Sequence, residues 1–186
     1  MTMRFRGFTL IELMIALAIF GLLIMLAGPQ LAAFMGNSQI RNAAEAMLNG
    51  VQHAQSTAIR GNTLTRLVVD PTTGTGGWQV LETIEGLEPS PPNPIQVYAF
   101  IDGAPKVTVA RTPADATQIT FDGFGRIVPN IDASPTLTCL KVRNPNVSTP
   151  RNLNVAISSS GLSVGTKLCD PDAAATEPQA CPAGCA

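Results

Sequence analysis

The hydrophobic and polar positions divide the chain into one long apolar block and a later region of short alternating runs. Between Gly7 and Gln39 the one charged side chain is Glu12. Residues 8–28 form an apolar run of 21 residues, which as a helix spans about 30 Å, the thickness of the hydrocarbon core of a bilayer. This block therefore predicts a single transmembrane helix at residues 8–28.

The basic residues around the block predict its orientation. Arg4 and Arg6 precede it, and the next Lys or Arg is Arg41. The positive-inside tendency then leaves the N-terminus in the cytoplasm and sends the rest of the chain across the membrane. A cleaved secretory signal peptide is the alternative, but the apolar run is longer than usual. It also contains Glu12, an acid that costs about 2.5–3.5 kcal/mol deep in a bilayer and needs a cationic partner from another chain or a new N-terminus.

A helical period continues after Pro29. Apolar residues at steps of three and four predict one face of an amphipathic helix over residues 29–61: Leu31, Phe34, Met35, Ile40, Ala44, Met47, Leu48, Val51, Ala54, Ala58 and Ile59. We predict one helix from Thr9 to Arg60, closed by a C-cap at Gly61 and Asn62. Pro29 removes a backbone hydrogen bond and is expected to bend or locally melt this helix.

Residues 62–186 alternate short strand-like runs with turns. The predicted strands are residues 63–70, 78–84, 95–101, 106–110, 118–121, 136–142, 152–158 and 162–168. Residues 85–94 form a proline-rich loop that cannot be a central strand. A helix followed by hairpin-connected strands predicts an α+β fold, in which an antiparallel sheet packs on one face of the helix.

Composition and cysteine content narrow the class of protein. The net charge is −1, with 45% hydrophobic and 13% charged residues, so no strongly basic domain is present. The four cysteines lie in the last quarter of the chain, which favours disulfides in an oxidising compartment. A zinc site is disfavoured, because the one histidine, His53, is distant and no CxxC occurs. We find no catalytic constellation, and predict no enzyme activity, cofactor or metal; Asp122 and Asp132 are interpreted as turn residues.

Residues 6–13, Arg-Gly-Phe-Thr-Leu-Ile-Glu-Leu, resemble the class III leader junction of type IV pilins and type II secretion pseudopilins. The resemblance implies that residues 1–7 are a leader, that a prepilin peptidase cuts after Gly7, and that Phe8 becomes the methylated N-terminal residue. Glu12 is then the fifth mature residue and would pair with the N-terminal ammonium of a neighbouring subunit. Pro29 matches the helix-kinking proline of pilins. Other pilins, the peptidase and the inner membrane are the implied partners.

Two later segments resemble the GspH/FimT family of minor pilins and pseudopilins: residues 41–62, and the turn Phe-Asp-Gly-Phe-Gly-Arg at residues 121–126. The ending around residues 167–182 is similar to the pilus members of that family. This resemblance implies a minor pilin that takes part in priming or assembling a type IV pilus. A minor pseudopilin of a type II protein secretion system is the alternative.

The cysteines and the basic residues of the head leave two further questions. Our preferred disulfides are Cys169–Cys181, which closes a 13-residue loop, and Cys139–Cys185. Four cysteines allow three connectivities, and the sequence does not choose among them. A pilus-tip DNA receptor for natural transformation is a second alternative function, because residues 133–169 contain basic but no acidic side chains: Lys141, Arg143, Arg151 and Lys167.

Overall fold

The structure is a computed structural model that describes residues 8–70, 72, 76–83, 94–160 and 163–186. The predictions for the leader, including Gly7, and for most of the loop at residues 85–94 lie outside these residues. The α+β fold prediction is confirmed: one long N-terminal helix packs against antiparallel sheets.

The helix, α1 (Leu10–Gly61), contains 52 residues and has a polar cap at each end. At its start the Thr9 hydroxyl accepts a hydrogen bond from the Glu12 backbone N–H at 3.3 Å, which satisfies a donor with no partner inside the helix. At its end Asn62 adopts the left-handed conformation, with φ of 49°, and its N–H donates to the Ala58 carbonyl. Since α1 continues through position 29 without a break, the local melting expected at Pro29 is not a feature of this structure.

Nine strands follow the helix. Their bounds are β1 (Leu64–Asp70), β2 (Gly77–Thr83), β3 (Gln96–Ala99), β4 (Thr108–Thr112), β5 (Gln118–Phe121), β6 (Ile127–Val128), β7 (Cys139–Arg143), β8 (Leu153–Ser160) and β9 (Ser163–Cys169). They form a five-stranded sheet in the order β3-β2-β1-β5-β6 and a four-stranded sheet in the order β4-β7-β8-β9. The head therefore has two antiparallel sheets, where the sequence pattern indicated one.

A short segment before β7 joins the two sheets. The Leu137 N–H donates to the Gln118 carbonyl of the larger sheet at 3.2 Å, and the Thr138 carbonyl accepts from Ile157 of the smaller sheet at 2.9 Å. Two strand predictions also change. Residues 95–101 do not stay extended, because Phe100–Asp102 turn into a short 3-10 helix. The strand at residues 136–142 begins at Cys139, because residues 136–138 make this junction instead.

The core lies between the second half of α1 and both sheets. The fully buried side chains of the helix are Ile40, Ala43, Ala44, Met47, Val51, Ala54 and Ala58, and they meet Leu67, Val80, Ile119, Phe121, Leu140 and Val155. Small helix residues let the sheets approach the backbone closely, and side chains of this kind gain roughly 25 cal/mol for each Å² of apolar surface they bury. The stripe predicted from the sequence is thus buried from Ile40 onward, whereas Ile59 is exposed.

Candidate functional site: the uncovered half of the helix

The first half of α1 is largely uncovered by the other residues that the structure describes. Its apolar side chains from Leu10 to Met35 are exposed, with Met25 at 80% and Phe34 at 72%. An 18-residue window of this helix has a mean hydropathy of 2.7, and none of its residues is buried. By length and composition, the helix is therefore long and apolar enough to cross a membrane. A helix that is apolar all round needs a lipid or protein environment around it.

Glu12 lies at the start of this uncovered half. Its backbone N–H is bonded to the Thr9 hydroxyl, and Phe8 precedes the cap at 85% exposure. Among the described residues Glu12 has no ion-pair partner, so its carboxylate remains available to a cation from outside the chain. The geometry therefore places one uncompensated acid among exposed apolar side chains, within two turns of the helix N-terminus.

A loop from the smaller sheet makes hydrogen bonds to the helix at the point where the uncovered half ends. The Asn37 amide donates to the Thr149 carbonyl at 3.4 Å, and its oxygen accepts from the Arg151 backbone N–H at 2.8 Å. A Cβ atom on Gly36 would meet the Cγ2 methyl group of Val147, so a larger residue at this position would displace that side chain. We call residues 144–151 the clamp loop. No local pattern in the sequence predicts this loop; its one sign there is a glycine, Gly36, on the helix face that leads into the buried stripe.

Both disulfides lie on the side of the smaller sheet that faces away from α1. The structure links Cys139 to Cys185 and Cys169 to Cys181. Cys139, Cys169 and Cys185 pack with Ala156 in a small buried cluster separate from the main core. Asn154, which is fully buried, donates from its amide to the Cys185 carbonyl. The tail at residues 170–186 is thereby tied across β7 and β8.

The structure separates the four basic residues considered for DNA binding. The Lys141 ammonium donates to the Ala186 oxygen, and the Lys167 ammonium to the Ala180 carbonyl, each at 2.7 Å. The Arg143 guanidinium donates to the Val142 carbonyl and to Asn154 Oδ1, each at 2.8 Å. Burial lowers the pKa of Arg143, while Asp172 and Asp170 nearby act in the opposite direction. Three of the four cations therefore hold the tail and the sheet together, and Arg151 lies in the clamp loop.

The turn between β5 and β6 is organised by Asp122. Its carboxylate accepts from the backbone N–H groups of Phe124 and Arg126 at 3.0 and 2.9 Å, and from Arg126 Nε at 2.8 Å. The Arg126 guanidinium also lies over the Phe124 ring, 5.1 Å from its centroid. Asp132 likewise accepts from the Ser134 backbone N–H and hydroxyl, at 3.0 and 2.6 Å. Both aspartates occupy turns, as their sequence context predicted.

His53 is half-buried on α1, and no group of three His, Cys, Asp or Glu side chains comes together in the described part of the chain. The molecule has the arrangement of a subunit in a larger assembly. Its head covers the second half of the helix, and the exposed apolar half is available for contacts with other molecules. A long N-terminal helix of this kind, followed by an antiparallel head, is the type IV pilin fold.

Comparison with known proteins agrees with this class. The family described as Type II transport protein GspH matches residues 43–161, and the Prokaryotic N-terminal methylation motif matches residues 2–28. The chain belongs to the GspH/FimT-like family of pilins and pseudopilins, a family of structural subunits. No curated protein matches the chain.

Two crystal structures of the type IV minor pilin FimU of Pseudomonas aeruginosa are similar in fold. The first, in space group P21, has a TM-score of 0.52 and 20% identity, and covers 72% of this chain and 92% of FimU. The second, in space group P65, has a TM-score of 0.49 and 19% identity, and covers 68% and 91%. At this identity the first likeness shows the fold alone.

Proposed function

We propose that the protein is a minor pilin that takes part in priming or assembling a type IV pilus, anchored by residues 8–28 with its head in the periplasm. The observation that carries the proposal is the division of α1. The buried stripe begins at Ile40, while the large apolar side chains from Leu10 to Met35 are exposed among the described residues. A helix half of this composition is stable either in a bilayer or among the same helices of other subunits.

Maturation of the N-terminus is part of the proposal. Cleavage between Gly7 and Phe8 would leave a new ammonium directly before the Thr9 cap, and methylation of Phe8 would keep its charge. Glu12 of one subunit would pair with this ammonium on the next subunit. Removing one member of a buried pair costs about 3–5 kcal/mol, because the remaining charge has no partner. Glu12 would therefore set the axial position of one helix against its neighbour.

A minor pseudopilin of a type II secretion system is the second candidate. The description of the matching family favours it, since that description names type II transport. The minor pilin comes first because the protein of similar fold is a pilus component. Both candidates use the same helix and differ in the machine that receives it.

The test compares Glu12→Gln with a matched control, Glu45→Gln, in the source bacterium. Glu45 is an exposed acid that pairs with Arg41 on the helix surface at 2.7 Å, an interaction worth about 0–1 kcal/mol. For Glu12→Gln we expect the amount of the protein in sheared pilus fractions to fall more than about 100-fold, with Glu45→Gln unchanged. Loss of pilus number and twitching on deletion supports the minor pilin, and loss of protein secretion with normal pili supports the pseudopilin. Normal incorporation of Glu12→Gln would contradict the pairing.

A further inference from the structure

A cavity lies at the base of the head, beside the helix and beyond the C-terminal end of residues 8–28. Its volume is about 210 Å³. The lining contains one ammonium group and three side-chain amides: Ala32, Met35, Gly36, Gln39, Lys106, Asn144, Asn146 and Val147. Ammonium and amide N–H groups are hydrogen-bond donors, and amide groups can also meet the hydroxyls of a polar headgroup. Lys106, Gln39 and Asn146 therefore offer donors for a phosphate ester within this cavity.

The clamp loop fixes the height of this cavity on the helix. The Asn144 amide donates to the Gly36 carbonyl and to Gln39 Oε1, each at 3.5 Å. Val147 packs directly against Gly36, where a Cβ atom would meet its Cγ2 methyl group. These three contacts hold the loop on the helix. The cavity therefore has a fixed height along the helix axis as long as they are kept.

Two cations at this level have no charged partner. The Lys106 side chain is exposed and lines the cavity, and Arg151 is exposed beside Asn37. Neither side chain makes a hydrogen bond or ion pair with the other described residues. Of the acids on neighbouring segments, Asp172 accepts from the Asn152 amide at 3.4 Å and Glu45 pairs with Arg41, while Asp102 is exposed four residues before Lys106. Lys106 and Arg151 are therefore exposed cations that no described acid neutralises in an ion pair.

The lower rim of the cavity lies at the height of the headgroup layer. If the hydrocarbon core ends near Gly28, a rise of 1.5 Å per residue puts Ala32 about 6 Å and Asn37 about 14 Å above it. The polar layer of a bilayer is about 5–8 Å thick on each side. Lys and Arg have long stems that extend toward the interface. Ala32 therefore lies within the polar layer and Asn37 above it, so Lys106 and Arg151 would meet lipid phosphates by extending their stems toward the bilayer.

We infer that the base of the head is a binding site for anionic phospholipid headgroups, with the lipid phosphate at the Lys106 cavity and Arg151 as a second contact. The inference rests on the proposed function in one respect, the placement of residues 8–28 in the bilayer. Such contacts hold the head upright on the membrane before the subunit enters a filament. Each cation near an anionic surface strengthens binding about fivefold.

The test uses the full processed chain in lipid nanodiscs, with a fluorescent amino acid incorporated at the exposed position Ser148 of the clamp loop. A trace of neutral lipid with a nitroxide on its headgroup quenches this label when the head is docked. We expect stronger quenching in phosphatidylglycerol than in phosphatidylcholine, and less of it at high sodium chloride. Lys106→Gln with Arg151→Gln should lower the ratio of docked to free heads about 25-fold. The control is Arg60→Gln, at the far end of the helix, which should change nothing.

Equal quenching in the two lipids, or the same loss in Arg60→Gln, would overturn the inference. Stronger displacement by sodium phosphate than by sodium chloride at equal ionic strength would assign the site to free phosphate and overturn the lipid. Carbonate extraction separates this inference from the proposed function. If carbonate releases the chain from membranes, the proposed anchor is wrong and the lipid site falls with it; if the chain is retained and quenching does not depend on lipid charge, the lipid site alone is wrong.

Discussion

Gly50 of the helix lies directly against the indole of Trp78 in β2. A Cβ atom on Gly50 would be 2.8 Å from both Cδ2 and Cε2 of the ring, closer than side-chain atoms pack. Trp78 is 4% exposed and stacks on Tyr98, with ring centroids 5.9 Å apart. The missing side chain at Gly50 therefore sets the distance between the helix and the five-stranded sheet.

We predict that Gly50→Ala destabilises the head. Alanine is the better helix former by up to about 1 kcal/mol, but forcing a methyl group into a packed site costs about 1–3 kcal/mol. Trp78 is the one tryptophan, so its fluorescence during urea unfolding in detergent reports this contact directly. Asn49→Ala, at the exposed neighbouring position, is the control and should not lower the urea midpoint. A Gly50→Ala chain as stable as Asn49→Ala would contradict the packing.

The Asp122 turn should make stability depend on pH. Burial acts to raise the pKa of Asp122, but hydrogen bonds from Arg126 and Phe124 and the Arg126 charge outweigh it, and the pKa is below its ordinary value. The ionised Asp122 carboxylate therefore contributes its full stabilisation to the fold above the unfolded-state pKa of about 4. This stabilisation is lost as the pH falls through the folded-state pKa.

We predict that Asp122→Asn lowers the free energy of unfolding by about 1–2 kcal/mol at pH 7, since Arg126 is partly exposed and water screens the pair. The wild type and the variant should then converge as the pH falls below about 4. Urea unfolding at several pH values measures this difference. Curves that stay separate to pH 2 would show that the turn is held by other contacts.

The two disulfides should differ in how much they stabilise the chain. Cys139 and Cys185 are 46 residues apart, and Cys169 and Cys181 are 12 apart. From loop entropy the longer loop contributes about 4 kcal/mol and the shorter one about 3 kcal/mol. Replacing Cys139 and Cys185 by alanine should therefore lower the urea midpoint more than replacing Cys169 and Cys181. The reverse order would mean that the tail holds its place on β7 and β8 without the longer bond.

Local signals in the sequence predicted the parts of the fold that depend on local interactions. The ends of α1 follow from the Thr9 hydroxyl and the left-handed Asn62, both readable within a few residues. Strand β5 matches its prediction because a short apolar run lies between turn residues. The candidate site, the uncovered apolar half of the helix with Glu12, follows from composition and period alone.

Contacts between distant segments left little sequence signal. The division into two sheets depends on Leu137 and Thr138 meeting strands from different sheets, and nothing in those residues indicates it. Strand β6 has two residues, too few for an alternating pattern. The clamp loop reaches the helix across more than 100 positions of sequence, as in the contact of Arg151 with Asn37.

We predict that the head does not bind duplex DNA at physiological salt. Lys141, Arg143 and Lys167 are hydrogen-bonded within the head, which leaves Arg151 as the one member of that set with a free side chain among the described residues. A single phosphate contact gives a salt slope of only about −0.9 in the logarithm of the binding constant. A fluorescence anisotropy titration of labelled duplex at 50 and 150 mM salt checks this. Binding with a slope of −3 or steeper would favour the DNA receptor.

The most direct test of the central claim, that the helix is a pilin assembly element, is the intact mass and N-terminal sequence of the protein extracted from membranes. We predict a chain that begins at methylated Phe8, with Glu12 as its fifth residue and the whole apolar half of α1 retained. A chain that begins near residues 28–33 would contradict the account, because the apolar block would then be a signal peptide and the remainder a secreted, disulfide-bonded β domain.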